Sequence, residues 1–372
     1  MGDERDRFAP PSPARGAGFS VDDTNVLKGI GILAIALHNF FHRVPGIVQE
    51  NEFEFDPTRF ALFIEQVTAP ATSIQALFSF LGHYGVGIFI TLSCYGLACA
   101  STRTPPQAPA EFLKSRVLKL MPTIGLCIAI WLLLQLRSHG LSDGPFWSVT
   151  LLEVLLLCSG LYTLVPGYGL PTVGPWWFIP FILQFYLLWS LLGARLMRTT
   201  TPVLLAGAVL SMWLVPWLGE PLRRNFQINL LETPLGHIAD IALGILLTRF
   251  RPARFGLWLL PLGLLLLLSN LIEALWPLGT VAATSVLLIA FDCFRGPAAM
   301  GRALAWIGAL SLPIFMLNGF IRRPFLTLTA SSDLPGADLL FALATVLCSI
   351  AIAFLLAAFV KAVGRARPGP RA

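Results

Sequence analysis

The amino-acid sequence predicts an all-α, polytopic integral membrane protein with about ten transmembrane helices and a short re-entrant or surface helix. Of its 372 residues, 56% are hydrophobic and only 12% are charged, whereas a soluble domain has about 25% charged residues. The hydrophobic residues also cluster in runs near the length of about 20 residues that a helix needs to cross a bilayer. These observations exclude an ordinary soluble enzyme, a disordered chain, a coiled coil and a disulfide scaffold.

The chain divides into a short tail and one transmembrane domain. Residues 1–20 mix acidic and basic residues with three prolines and have no apolar core, which predicts a disordered cytoplasmic tail rather than a signal peptide. Residues 21–365 are predicted to form the membrane domain. Its apolar runs lie at 25–44, 76–100, 117–136, 175–194, 202–219, 235–248, 255–272, 277–294, 304–321 and 338–362.

The distribution of Lys and Arg predicts how these helices are oriented, because short cytoplasmic loops carry an excess of both residues. With ten spans and a cytoplasmic N-terminus, 19 of the 26 Lys and Arg residues fall in cytoplasmic segments and 7 in outer ones. An eleventh apolar run at 146–158 is shorter and contains Glu153. If this run crossed the membrane, every later loop would lie on the opposite side. The excess of Lys and Arg in the cytoplasmic segments would then largely vanish. We therefore predict that both termini are cytoplasmic and that residues 137–174 form an outer loop with a re-entrant or surface-lying segment.

Histidines are placed where a membrane protein rarely tolerates them. A polar side chain at membrane depth is costly, so it marks either a function or a packing pair. His38 and His42 lie four residues apart on one face of the first span, in its outer half. His83 enters the second span at a similar depth, among glycines that allow close approach. Together with Asn39, these residues are the candidate catalytic group; the alternative for each is an interhelical hydrogen bond.

The other polar residues and motifs give weaker evidence for a functional site than the three histidines. His237 and Asp240 lie three residues apart in a later span, and a structural pair is favoured there over catalysis. The chain has five histidines and six cysteines without a CxxC or zinc spacing, too few histidines for a membrane di-iron enzyme, so we predict no metal cofactor. It has no HExxH or P-loop motif.

A basic cluster precedes the third span on the side predicted to be cytoplasmic. Arg116 and Lys119 are three residues apart at the start of a helix, with Lys114 nearby. Such a cluster suits a phosphate or pyrophosphate group. The alternative is ordinary anchoring of the helix by cytoplasmic positive charge.

In this order the motifs resemble acyltransferase family 3, the multi-pass O-acyltransferases of bacterial surface glycans and related molecules. The resemblance covers about residues 22–362 and thus the whole membrane domain. The matching segments are Lys28-Gly29-Ile30 with the downstream His38, Phe89 to Tyr95, Arg116-x-x-Lys119 with Pro122, Trp177-Phe178 with Tyr186, and Ile307-Gly308-x-x-Ser311.

The sequence also departs from the family pattern. Nine residues separate Lys28 from His38, where the family usually has ten. At about 100° per residue this rotates His38 by about 80° from Lys28, rather than about 20°. The usual position falls on Asn39, and His42 is about 40° off the face of Lys28. We favour His38 as the base and keep His42 as a substitute. Further departures are Cys94 for Gly, Lys119 for Arg, and Asn318 for a late-span His.

The resemblance implies a membrane O-acyltransferase in the bacterial cytoplasmic (inner) membrane, with the lipid bilayer and a glycan or glycolipid acceptor as partners and no nucleic acid. Cytoplasmic acetyl-CoA, or another short acyl-CoA, would be the co-substrate. Its phosphates would bind Lys28, Lys114, Arg116 and Lys119. The candidate substrate contacts are Ser93, Trp176, Trp177, Tyr186 and Asn318.

In the implied reaction His38, neutral near pH 7, takes the proton of the acceptor hydroxyl as its oxygen attacks the thioester. His83 or Asn39 orients the base or stabilises the oxyanion. An acyl-histidine intermediate is an open alternative. A proton-coupled secondary transporter of a small metabolite or glycan precursor is the rival function, because intramembrane His and Asp can relay protons. A flippase or a transferase that does not use CoA is a third.

Overall fold

The computed structural model describes residues 18–51, 53–103, 107–140 and 142–366, and within these ranges every regular element is helical. Most of the tail predicted at 1–20 lies outside them. Fourteen α-helices follow one another, joined by loops and short 3₁₀ turns. They are α1 (Val21–Phe41), α2 (Pro57–Thr68), α3 (Ser73–Leu81), α4 (Gly85–Arg103), α5 (Pro109–His139), α6 (Gly144–Ser159), α7 (Phe178–Arg198), α8 (Thr201–Phe226), α9 (Ile238–Leu246), α10 (Leu259–Ser269), α11 (Gly279–Cys293), α12 (Ala298–Ala309), α13 (Ser311–Ala330) and α14 (Ala337–Ala366).

The prediction of an all-α, multi-pass membrane protein is confirmed. In the described ranges, eight helical stretches are long and apolar enough to cross a membrane, and α12 with α13 makes a ninth if this pair, bent by 72°, is one span. The run predicted at 235–248 is a shorter apolar helix, Pro234–Leu246. The segment at 146–158 is likewise a short apolar helix, α6. The count is therefore close to the ten predicted.

α1 lies at the centre of the bundle and packs against α3, α4, α12, α13 and α14. It begins with a capping box, in which the Ser20 hydroxyl accepts from the Asp23 N–H and the Asp23 carboxylate accepts from the Ser20 N–H. A Cβ on Gly308 of α12 would overlap the Asn25 carbonyl, so these two helices touch through their backbones. This packing fixes the helix that carries Lys28 and His38.

The charged residues at the start of α1 are tied to the end of α11. Arg295 pairs with Asp23 at 2.9 Å and with Asp292 at 3.4 Å. Asp292 also accepts from the Arg251 guanidinium at 3.1 Å and from the Ala253 N–H at 3.0 Å. Two of the arginines that the sequence assigned to cytoplasmic loops therefore also join separate elements of the bundle.

Two segments assigned to the outer loops are folded against the bundle. Glu153 of the apolar α6 accepts from the N–H and the hydroxyl of Thr172, both at 2.7 Å, which holds the Gly- and Pro-rich segment 159–175 in place. In the acidic segment after α1, Arg59 pairs with Glu54 at 3.4 Å and with Asp56 at 3.3 Å. Hydrogen bonds from Thr58, together with the charge of Arg59, hold the pKa of Asp56, the N-cap of α2, below its usual value.

Candidate active site

A cavity of about 480 Å³ lies between α1, α4, α13 and the loops around residues 51–54, 169–177 and 223–232. We call it the histidine cavity. All four residues predicted to be catalytic line it, together with one predicted substrate contact. These residues are His38, Asn39, His42, His83 and Trp177.

His38 is held by a hydrogen bond that determines its tautomer. Its Nδ1 lies 2.8 Å from the Ser79 carbonyl oxygen, which can only accept, so Nδ1 carries the proton. In the neutral ring Nε2 is then unprotonated and can accept a proton from a substrate. The Ser79 hydroxyl donates to the Val48 carbonyl at 2.5 Å, and this anchors the segment that orients the imidazole.

A close crossing brings the second span against His38. A Cβ on Gly82 would come within 2.5 Å of the Ala34 carbonyl oxygen and within 2.6 Å of the His38 Cβ. Only glycine therefore allows the 3₁₀ turn Gly82–Tyr84 to pass this close to α1. The turn lies between α3 and α4, inside one continuous apolar span, and it places His83 beside His38.

The three histidine rings form one cluster. The ring centroid of His38 lies 5.3 Å from that of His42 and 5.6 Å from that of His83. In the part of the chain that the structure describes, the Nδ1 atoms of His42 and His83 have no hydrogen-bond partner. These rings therefore keep hydrogen-bonding capacity for a bound molecule, whereas the Nδ1 of His38 is already engaged.

A second cavity of about 190 Å³ lies further along α1, and Lys28 lines it. We call it the lysine cavity. Ser93 and Tyr186, two of the predicted substrate contacts, also line it. The two cavities share three lining residues, Ile35, Val86 and Phe315. At 1.5 Å per residue, Lys28 and His38 are about 15 Å apart along α1, so the cavities follow one another along this helix.

The predicted basic cluster converges in part on the lysine cavity. The Arg116 guanidinium lies 5.2 Å from the Phe112 ring centroid and 6.0 Å from that of Tyr186, within the range of cation–π attraction. Lys119 is exposed, and its charge repels that of Lys28. Lys114 is exposed as well, and none of Lys114, Arg116 and Lys119 is among the residues that line the two cavities.

Two predicted substrate contacts lie elsewhere. Trp176 packs edge-on against Trp131, and its indole N–H donates to the Met316 carbonyl at 3.0 Å. It is part of the core and lines neither cavity. Asn318 is buried on α13 and also lies outside both linings, and its amide atoms have no partner within the described ranges.

His237 and Asp240 form a closed pair. The Nδ1 of His237 lies 2.9 Å from Asp240 Oδ2, and its Nε2 lies 2.9 Å from the Leu231 carbonyl oxygen. Both ring nitrogens are therefore occupied, which agrees with the structural pairing favoured from the sequence. As to metals, no group of three or more potential ligands comes together among the described residues.

Sequence reasoning did not single out several charged residues that line the histidine cavity, which are Arg43, Arg223, Glu232 and Arg322. The buried arginine among them is Arg322. This residue is 7% exposed on α13 and lines the cavity. In the sequence it belongs to the pair Arg322-Arg323 at the end of an apolar run, which resembles ordinary loop charge. The polar Asn318 one helical turn earlier was the available signal that this face of α13 is turned inward.

The fold and the site define a multi-pass membrane protein whose central helix carries a candidate base between two cavities. The model of the acyltransferase domain family matches residues 21–358, nearly the whole chain. The protein therefore belongs to acyltransferase family 3 and is an acyltransferase, which removes the basis of the rival transporter hypothesis. Searches of curated proteins and of solved structures found no match.

Proposed function

We propose that this acyltransferase moves an acetyl or short acyl group from cytoplasmic acetyl-CoA to a hydroxyl of a surface glycan or glycolipid. The proposal places the enzyme in the bacterial inner membrane with both termini in the cytoplasm. The observation that carries it is the contact between the two cavities. A basic, partly aromatic pocket at Lys28 adjoins a polar pocket that contains a candidate base, and Ile35, Val86 and Phe315 line both.

On the donor side, the phosphates of the CoA would bind Arg116 and Lys119, since a guanidinium and an ammonium group both bind phosphate oxygens. The acyl arm would then run through the lysine cavity towards His38. Most of the lining between these points is apolar, including Leu120, Ile124 and Ile179. An apolar lining suits a thin, largely apolar arm and excludes water from the thioester.

On the acceptor side, polar and aromatic groups line the histidine cavity. Asn51, Asn229 and Gln227 offer amide groups, and Trp177 with Phe53 offers aromatic faces whose ring centroids are 5.5 Å apart. A sugar presents hydroxyl groups at its rim and C–H groups on its faces, so it can use both kinds of contact. This lining supports a polyhydroxylated acceptor.

The reaction would begin when His38 Nε2 accepts the proton of the acceptor hydroxyl, and the oxygen of that hydroxyl attacks the thioester carbonyl carbon. The C–O bond forms, and the carbonyl oxygen takes up the negative charge. Asn39 or His83 would donate a hydrogen bond to this oxyanion. The C–S bond then breaks, and the CoA thiolate takes the proton back from His38, which leaves an acyl ester and free CoA.

The first test is equilibrium binding of acetyl-CoA to the purified, detergent-solubilised protein, which requires no knowledge of the acceptor. We expect saturable binding that Arg116→Ala weakens about tenfold or more, since a charge-assisted contact to phosphate contributes about 1.5–3 kcal/mol. Lys114→Ala is the matched control, because Lys114 is an exposed lysine in the same helix, whereas Arg116 contacts Tyr186, which lines the lysine cavity. Absence of binding to a folded sample, or equal losses in the two variants, would overturn the proposed donor site.

A further inference from the structure

We propose that the acceptor bound in the histidine cavity carries an anionic group, a carboxylate or a phosphate, and that Arg322 binds it. This inference rests on the proposed function, because it takes the histidine cavity as the acceptor site. It goes further because it restricts the acceptor to glycans or glycolipids that carry a negative charge.

Arg322 is a buried cation for which the described part of the chain supplies no ion pair. Its side chain is 7% exposed and faces the histidine cavity. Within the described ranges its Nη1 atom has no hydrogen-bond partner. The positive charges of Arg43 and Arg323 act on it, so these two neighbours repel the guanidinium rather than neutralise it.

Such an arrangement is costly unless something enters the cavity. An ion removed from water carries a penalty of several kcal/mol, which a partner of opposite charge offsets. Inside a membrane domain an unpaired charge marks a substrate site or a partner by default. An anion in the cavity would supply the missing charge, and a guanidinium presents two parallel N–H groups that match a carboxylate or a phosphate.

Glu232 lines the cavity and takes part in an interaction of its own. The carboxylate of Glu54 also lines the cavity, but it is already engaged. It pairs with Arg59 at 3.4 Å and with Arg223 at 3.6 Å. Two cations therefore share this carboxylate, whereas no ion pair of Arg322 is found in the described ranges. An acceptor that carries a negative charge would neutralise the guanidinium of Arg322.

The position of Arg322 places the anionic group close to the chemistry. The charge of Arg322 acts on both His38 and His42, so the guanidinium is near the candidate base. An anion bound to Arg322 would therefore belong to the sugar that carries the reacting hydroxyl, or to a group joined directly to it. Arg322 would fix that hydroxyl in front of His38, which is the positioning that a two-substrate reaction requires.

The test compares three small probes by saturation-transfer NMR with the full chain in detergent. They are methyl β-glucuronide, which carries a carboxylate, methyl β-glucoside, which is neutral, and sn-glycerol 1-phosphate. Saturating CoA is present throughout, so that phosphate does not report on the donor site. We expect at least one anionic probe to bind about tenfold more tightly than the glucoside, with NaCl reducing the difference. The stronger anion indicates whether the acceptor charge is a carboxylate or a phosphate.

Arg322→Met is the decisive variant, because it keeps an unbranched apolar stem and removes the charged guanidinium. We expect it to abolish the preference for the anion. Arg323→Gln is the matched control: Arg323 is the next residue, is exposed, and donates to the Thr172 carbonyl, and we expect its variant to retain the preference. If Arg322→Met does not fold, Arg322→Lys and NaCl competition on the unmodified protein decide, with the preference expected to persist more weakly in the lysine variant.

Equal affinities for the glucuronide, the phosphate and the glucoside would overturn the proposal, as would a full anion preference in Arg322→Met. No saturable binding of either anion would also overturn it. Failure of the proposed function is distinguishable, because acetyl-CoA binding is measured separately. Loss of acetyl-CoA binding with an intact anion preference would contradict the donor site and leave the anion site standing.

Discussion

At the scale of single residues, the tautomer of His38 distinguishes it from its neighbours. Its Nδ1–H donates to the Ser79 carbonyl, so Nε2 is the atom left to accept a proton. Neither His42 nor His83 has such an orienting bond at Nδ1 in the described structure. The sequence left the choice between His38 and His42 open, and this hydrogen bond favours His38.

We therefore expect His38→Gln to lower acyl transfer by about 10²–10⁴-fold, the usual contribution of a general base. Binding of acetyl-CoA should not change, because His38 lies in the histidine cavity and not beside Lys28. Rates of acetyl transfer and equilibrium binding, measured on the same preparations, check both statements.

His139→Gln is the control for this experiment, since His139 is exposed and its described contacts are local, a hydrogen bond to Asp143 and stacking on Phe146. His42→Gln should cost less than His38→Gln. Should His42→Gln instead abolish transfer while His38→Gln spares it, the roles of the two histidines would be reversed.

Whether the sequence could assign a residue to the site depended on how costly its side chain is at membrane depth. His38, His83 and Lys28 are costly at membrane depth, so their presence alone indicated a site. Trp176 is equally compatible with a core and with a sugar contact, and the structure buries it against Trp131. Arg322 was missed because a charged side chain near the end of an apolar run costs little free energy if it reaches water. The packing of the helices shows that the Arg322 side chain is buried instead.

At the scale of elements, the crossing of the 3₁₀ turn at Gly82–Tyr84 over α1 sets the geometry of the histidine cluster. The Cβ of an alanine at position 82 would overlap the Ala34 carbonyl and the His38 Cβ. We expect Gly82→Ala to destabilise the protein by about 1–3 kcal/mol through overpacking and to reduce acyl transfer more than acetyl-CoA binding. Thermal unfolding in detergent and transfer rates measure these effects.

Gly96→Ala is the matched substitution, because it lies in α4, and a Cβ there has no neighbour within 4 Å. It should be neutral or slightly stabilising, as alanine favours a helix over glycine by about 1 kcal/mol. Equal thermal stability of the two variants would contradict the close crossing.

The second element-scale prediction concerns α13, which contributes Phe315 to both cavities. Phe315→Trp adds volume where the acyl group would pass from one cavity to the other. We expect transfer to fall at least about tenfold while acetyl-CoA binding remains, because the proposed phosphate site, Arg116 and Lys119, is not among the residues that line this passage. Transfer and binding assays on one preparation separate the two effects.

Leu328→Trp serves as the control for this passage, since Leu328 lies on the same helix and is 47% exposed. Unchanged transfer in Phe315→Trp would mean that the acyl group does not pass this residue. Hydropathy alone could place α13 in the membrane, but not this passage, because a shared lining depends on how α1, α4 and α13 pack.

At the scale of the whole molecule, apolar runs predicted most spans because burial of apolar surface in lipid dominates their placement. The runs were less informative at Pro234–Leu246 and Gly144–Ser159, which are apolar but short. The excess of Lys and Arg in cytoplasmic loops was interpreted only as a signal of helix orientation. Arg251 also pairs with Asp292, and Arg295 pairs with Asp23. Sequence shows how many positive charges a loop has, but not which of them a buried carboxylate holds.

The predicted orientation, with both termini in the cytoplasm, has a direct test in thiol labelling. Cys293 is free and exposed at the end of α11, on the side that the charge bias assigns to the cytoplasm. In a variant whose other five cysteines are replaced by serine, a membrane-impermeant maleimide should not label Cys293 in intact cells and should label it after permeabilisation. Ser142→Cys, introduced together with Cys293→Ser, lies in the loop predicted to be outside.

This Ser142→Cys protein should be labelled in intact cells, because Ser142 is exposed and follows α5 at the opposite end of the bundle from the basic cluster. The reverse labelling pattern would show that the protein has the opposite orientation in the membrane. It would place Arg116 and Lys119 outside the cell, away from any cytoplasmic acyl-CoA, so the donor site proposed here depends on the same result. Orientation therefore decides the direction of acyl transfer as well as the topology, since the two cavities lie in series along α1 between the donor and the acceptor sides.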